Sequence, residues 1–169
     1  MTTRIKIDAF KIDAFMDAAK NAVAPMNWRE KLMKKDPQWW EYVSAVEIDG
    51  VVIEDVQFIV QWRASVGAAG DKYNCGLLYQ SERIYAVDFD PDGQHTNKVG
   101  KGRALYKKRI GPGTHEHTWS EDGYGYAEPI SPDFPDFSAL FEYFCKKANL
   151  TVESGFKSPP SIQLNLLLK

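Results

Sequence analysis

The spacing of apolar positions changes period twice along the chain and divides it into helical ends around a strand-rich middle. Residues 1–38 read as a helical region. The tandem pentapeptide KIDAF KIDAF and the following MDAAKNAVA are rich in Ala, Lys, Met and Asp, and Pro25 closes the pattern. The period of five spreads Ile7, Phe10, Ile12 and Phe15 around a wide face, and a repeat this short is no solenoid unit. A second helical pattern runs from Trp28 to Lys35 and ends before Asp36-Pro37.

From Trp39 the period becomes two. Trp40, Tyr42, Ser44, Val46 and Ile48 share one side, Asp49-Gly50 supplies a two-residue turn, and Val56, Phe58, Val60 and Trp62 continue the face opposite Gln57, Gln61 and Arg63. YNCGLLYQ and RIYAVDFD, joined at Ser81-Glu82, extend this hairpin into a meander over 39–90. Residues 91–113 contain DPDG, GKG and GPG and read as a long basic loop, the kind of connection that often carries function. HEHTW and YGYAEP, separated by Glu121-Asp122-Gly123, predict a short strand or hairpin over 114–128. Phe137, Leu140, Phe141, Phe144 and Cys145 return to helical spacing within 136–150, with Lys146 and Lys147 at the favourable C-terminal end. In the tail, 156–169, Ile162, Leu164 and Leu166 alternate as an edge strand would. The expected architecture is a single α+β domain, an antiparallel β-meander of about four to six strands covered on one face by N- and C-terminal helices.

Composition adds a core and removes several function classes. With 44% hydrophobic residues, five Trp, eight Tyr and nine Phe, a chain of 169 residues has enough large side chains to bury a real core. The net charge of -2 gives no global attraction to nucleic acid or anionic membrane, so any polyanion must be met by a local patch. Cys75 and Cys145, far apart in apolar surroundings, read as reduced core residues. No run approaches the ~20 apolar residues of a membrane span, and MTTRIKIDAFK lacks the apolar run of a signal peptide. A cytoplasmic protein without membrane association is the expectation.

The candidate chemistry is concentrated. His95, His115 and His117 are the chain's three histidines, and all fall between the last meander strand and the C-terminal helix, among Lys98, Lys101, Arg103, Lys107, Lys108 and Arg109. Histidine changes charge near neutral pH and also binds metals. On a strand His115 and His117 project from one face and Glu116 from the other, and His95 with Asp88, Asp90 or Glu116 would complete a metal site. Because H-x-H also occurs in ordinary polar hairpins, no metal ligand is assigned and no cofactor is expected. Acid–base cleavage of RNA uses the same residues differently: one imidazole takes the 2′-hydroxyl proton, another protonates the leaving oxygen, and cations neutralise the phosphorane. Lys98, Lys101, Arg103, Lys107, Lys108 and Arg109 supply cations for the scissile and flanking phosphates, Arg109 being counted with the histidines as catalytic, and Trp119, Tyr106 and Tyr124 offer stacking surfaces for bases. A run such as YKKRIGPG is also what a plain solvated loop looks like. Nucleophilic catalysis has no G-x-S-x-G, and VGKGR lacks the Lys-Ser/Thr ending of a phosphate loop.

The segments KDPQWWEYVSAVEIDGV, QHTNKVGKGR and KKRIGPGTHEHTWSEDGYGYAEPI resemble an uncharacterised family of small bacterial proteins often carried on prophages and other mobile elements. More distantly, the order QWR, RIYAVDFD, a histidine, then H-x-H before a helix is similar to the TumE-like toxins of toxin–antitoxin pairs, which act against RNA or translation. That resemblance implies His95, His115 and His117 as reacting residues, with Arg103 or Arg109 as phosphate partner. The expected function is a small RNA-directed, toxin-like ribonuclease of mobile-element conflict, independent of metal, whose partners are RNA and an antitoxin. The alternative is a non-catalytic phage or mobile-element inhibitor that binds a host defence complex, for example of CRISPR type, since interfaces favour Trp, Tyr and Arg. His95 belongs with His115 and His117 only if the basic loop folds back across their strand.

Overall fold

A computed structural model describes residues 9–31, 38–65, 68 and 70–160. The central hairpin forms as its alternation dictates. Strands β3 (Trp39–Ile48) and β4 (Val51–Arg63) are joined at Asp49 and Gly50, both at positive φ, the conformation of a two-residue hairpin turn. β5 (Lys72–Tyr79) and β6 (Glu82–Asp90) continue the meander, although the turn lies at Gln80-Ser81, again at positive φ, with Glu82 already in the strand. β9 (Gly113–Ser120) and β10 (Gly123–Pro129) form the hairpin around Glu121-Asp122, and β9 pairs directly with β6.

The helical region expected over 1–38 is corrected in two places. Helix α1 (Ala9–Asp17) is followed by strand β1 (Lys20–Ala22), and Arg29–Lys31, assigned to helix by its pattern, is strand β2. β1 is held between β3 and β11 (Leu150–Val152), and β2 pairs with β3. Among the described residues the sheet therefore has nine strands, in the order β10-β9-β6-β5-β4-β3-β1-β11 with β2 also on β3, rather than four to six. Three-residue strands carry no readable period, and the pairing partners outweigh the helix propensity of the Ala-rich stretch. Lys20 marks the switch from helix to strand. Its side chain is fully buried, and Nζ donates to the α1 carbonyls of Phe15 and Met16 and to that of Ala18 at 2.5–3.0 Å. Burial pushes its pKa down to about 8, against the opposing charge of Asp17.

Helix α2 (Phe137–Lys147) begins at Asp136, whose carboxylate accepts the Ala139 amide at 2.8 Å. It buries Phe137, Leu140, Phe141 and Phe144, each contributing about 2 kcal/mol. Phe144 stacks on Phe58 and Tyr85. Ile12 of α1 joins the same core, so both helices pack on the sheet face that carries Phe58, Leu77 and Tyr85. Cys75 and Cys145 are free thiols. The other sheet face carries no helix among the described residues, and no described helix is long and apolar enough to cross a membrane.

The basic loop 91–113 is mostly turns, closed by a two-residue ribbon of β7 (His95–Thr96) and β8 (Arg109–Ile110). Residues 156–160 contain no strand, and Ile162, Leu164 and Leu166 lie outside the described residues.

Candidate active site

Strand alternation places His115 and His117 on the helix-free face of β9, while Glu116 turns into the core and accepts the hydroxyls of Tyr85 and Tyr143. The ladder then brings up Asp88, directly opposite His115 on β6. Its Oδ2 lies 3.1 Å from Nε2 of His117 and 3.8 Å from Nε2 of His115. Both imidazole side chains are 8% exposed. Across five strands the row His115, Asp88, Asn74, Gln61, Glu41 stands in register and forms a polar track. The adjacent row, His117, Ala86, Gly76, Ile59, leaves room in front of His117 because Ala86 and Gly76 are small. Arg83 runs along this trough past Gly76, and its charge acts on Asp88 and Tyr124.

His95 arrives from outside the sheet. Its ring centroid is 4.9 Å from that of His117 and 6.4 Å from that of His115, so the loop does fold back. Nε2 of His95 donates to the Gly125 carbonyl at 2.9 Å, because a carbonyl only accepts. Asn97, two residues on and fully buried, fixes the loop there. Its Oδ1 accepts the Ala127 amide at 2.7 Å, and its Nδ2 donates to the carbonyls of Ala127 (2.9 Å) and Leu105 (3.0 Å). A side-chain amide thus pairs with the edge of β10 as another strand would. The loop entrance is held by Asp90, which pairs with Lys72 and accepts the Gly93 amide. A Cβ at Gly93 would lie 2.1 Å from the Asp90 carboxylate, so any larger residue there must push that carboxylate off the Gly93 amide.

Burial lowers the pKa of His95, reinforced by the neighbouring His117, and burial likewise lowers that of His115 against the opposing Asp88 charge. For Asp88, burial acts upward but is outweighed by contact with His117 and by the Arg83 and His115 charges, leaving the carboxyl below its ordinary value. Burial and the Asp88 charge push the Tyr124 phenol up. Several buried polar atoms here have no hydrogen-bond partner: both ring nitrogens of His117, Oδ1 of Asp88, Oδ1 of Asn74 and the Tyr124 hydroxyl. Groups left this way cost about 1–3 kcal/mol each unless water or a ligand satisfies them, so the cluster has donors and acceptors free to bind one.

The remaining sequence candidates are distributed unevenly. Lys98, Lys101, Lys107, Lys108 and Arg109 are exposed on the loop. Arg109 pairs with Thr96, on the opposite side of the ribbon from His95 and Ile110, so it is not aimed at the histidines. Arg103 is committed elsewhere. Its guanidinium lies 3.6 Å from the Tyr126 ring centroid and bonds Glu128 and Thr118, on the Glu116 side of β9–β10. Trp119 shares the His117 face and stands opposite Tyr124. Sequence reasoning passed over Arg83, Asn97 and Asn74. Asn74 and Arg83 left a faint signal as polar residues in apolar strand runs, whereas Asn97 in a polar loop left none. No protein-family model, curated protein or solved structure matches this chain.

Proposed function

We propose that the protein is an RNA-directed, toxin-like ribonuclease whose reaction centre is the cluster of His95, His115, His117 and Asp88. The observation that carries this reading is the return of His95 to within 4.9 Å of the His117 ring, which joins proton-handling groups from separate segments of the chain. His95 is the most accessible of the three imidazoles. With Nε2 tied to Gly125, its Nδ1 is the atom that takes the 2′-hydroxyl proton as that oxygen attacks phosphorus, the P–O5′ bond breaks and the 5′-oxygen leaves with a proton from solvent water. Arg83, in the trough beside Asp88, takes the phosphate-partner role that neither Arg103 nor Arg109 is placed to fill. The exposed lysines of the loop supply sequence-independent contacts along the RNA backbone.

Single-stranded RNA cleavage by wild type and His95→Ala tests this. Loss of about 100-fold or more with an unchanged circular dichroism spectrum is expected, as is usual for a general base. Full cleavage by the variant sinks the reading. The burial of His115 and His117 favours a second reading, an inhibitor that binds a host defence complex through this face. It predicts stoichiometric capture of such a complex and full biological effect from His95→Ala.

A further inference from the structure

We propose that Asp88, His115 and His117 hold one divalent transition-metal ion, with His95 beside it but outside the ligand set. The inference goes beyond ribonuclease activity and stands or falls without it. Ligands about 2.0–2.2 Å from a tetrahedral ion lie roughly 3.4 Å from one another. The carboxylate-to-imidazole separations of 3.1 and 3.8 Å bracket that edge, whereas the three ligand atoms as a set lie only within 4.8 Å of one another, so a small rotation of the imidazoles closes the set around an ion.

The ordinary explanation of the 3.1 Å approach is a hydrogen bond, and the geometry does not make one. Both nitrogens of His117 are buried and unpartnered, as is Oδ1 of Asp88. His115 gives the second argument. Its Nδ1 donates to the Gly113 carbonyl at 3.2 Å, which leaves the Nε2 lone pair pointing at the Asp88 carboxylate. A lone pair facing an anion is relieved by a cation between them, and a metal ion serves both imidazoles at once where a proton on Nε2 serves only one. The backbone-held Nδ1–H is also the usual outer-shell support of a metal-binding imidazole.

The scaffold is rigid where precision matters. Two ligands sit at alternate positions of one strand, and the third is the cross-strand neighbour of one of them, so the sheet ladder fixes all three. His95 keeps a free Nδ1, but it is not among the side chains whose ligand atoms converge, which are Asp88, His115 and His117. Three protein ligands leave at least one coordination position open, the pattern of a catalytic rather than a structural zinc site. Two imidazoles and one carboxylate, without thiolate, select zinc and its first-row neighbours over calcium and magnesium, which prefer all-oxygen sites.

Zn2+ and Co2+ are the probes, with protein free of any polyhistidine tag. Equilibrium dialysis with elemental analysis should find one equivalent of Zn2+ per chain, and Co2+ should give the visible absorption of a low-coordinate nitrogen–oxygen site. The near-isosteric Asp88→Asn and His117→Gln should weaken binding by about 100-fold or more, while His95→Ala retains it. Thermal unfolding keeps the test interpretable if a variant is marginal, because Zn2+ should raise the wild-type and His95→Ala midpoints but not the others. No stoichiometric metal in wild type overturns the proposal, as does equal binding by Asp88→Asn or a loss on His95→Ala as large as on His117→Gln. Stoichiometric zinc without RNA cleavage supports the site and removes the ribonuclease reading; cleavage by protein that takes up no zinc does the reverse.

Discussion

Replacing Asn97 by Ala should detach the basic loop from the sheet and carry His95 away from the other two histidines. The magnitude follows from what the side chain holds. It satisfies the Ala127 amide and carbonyl, while the Leu105 carbonyl keeps the Lys108 amide as a second partner. Two buried backbone groups are therefore orphaned, at about 1–3 kcal/mol each, and water admitted by a lifted loop recovers part of that. The expected net loss is about 2–4 kcal/mol, in urea denaturation followed by tryptophan fluorescence. Amide hydrogen exchange localises it: protection of Ala127 and Lys107 should fall well before that of the β4 and β5 amides, since Lys107 donates to the Asn97 carbonyl. Asn97→Asp should be no better, because a carboxylate replaces an amide that faces two carbonyl oxygens. A loss below about 0.5 kcal/mol, in the range of an ordinary surface substitution, refutes the view that this one amide closes the sheet edge.

Other expectations rest on single residues. Lys20→Met keeps the apolar stem but removes the donor from three carbonyls at the end of α1, and should cost about 2 kcal/mol; an unchanged urea midpoint argues that water serves those carbonyls equally well. Gly100→Ala combines a φ of 85° with a Cβ placed 2.2 Å from the Tyr126 ring, so it should lose several kcal/mol and displace Arg103 from that ring, read by denaturation and the near-ultraviolet spectrum. Asp90 supplies a pH dependence: burial raises its pKa, but Lys72 and the Asp92 and Gly93 amides more than offset this and hold it below the ordinary value. A depressed carboxylate stabilises the folded state above the unfolded value of about 4, and that stability fades as pH falls through the folded value. The gap in stability between wild type and Asp90→Asn should accordingly narrow in acid, and a gap that widens there contradicts the assignment.

Parts of this protein whose information is local are legible in short stretches of its residues. Alternation over Trp39–Ile48 and Val51–Arg63 is long enough to fix strand identity and buried face, and Asp49-Gly50 dictates the turn between them. The spacing of Phe137, Leu140, Phe141 and Phe144 fixes α2 in the same way, and H-x-H on a strand necessarily shares a face. The remainder depends on contacts between distant segments. β1, β2 and β11 have three residues each and exist because neighbours offer unpaired backbone, which overrode the helix propensity of the N-terminal region. Asp88 stands opposite His115 only through the β6–β9 register, a pairing between strands separated by the entire basic loop. His95 reaches the cluster because Asn97 binds the β10 edge, and Arg103 is turned away because Tyr126 and Glu128 hold it on the other side. Local patterns record which way a side chain faces along its own element; which faces meet is set by long-range hydrogen bonds and packing that a single stretch of sequence does not encode.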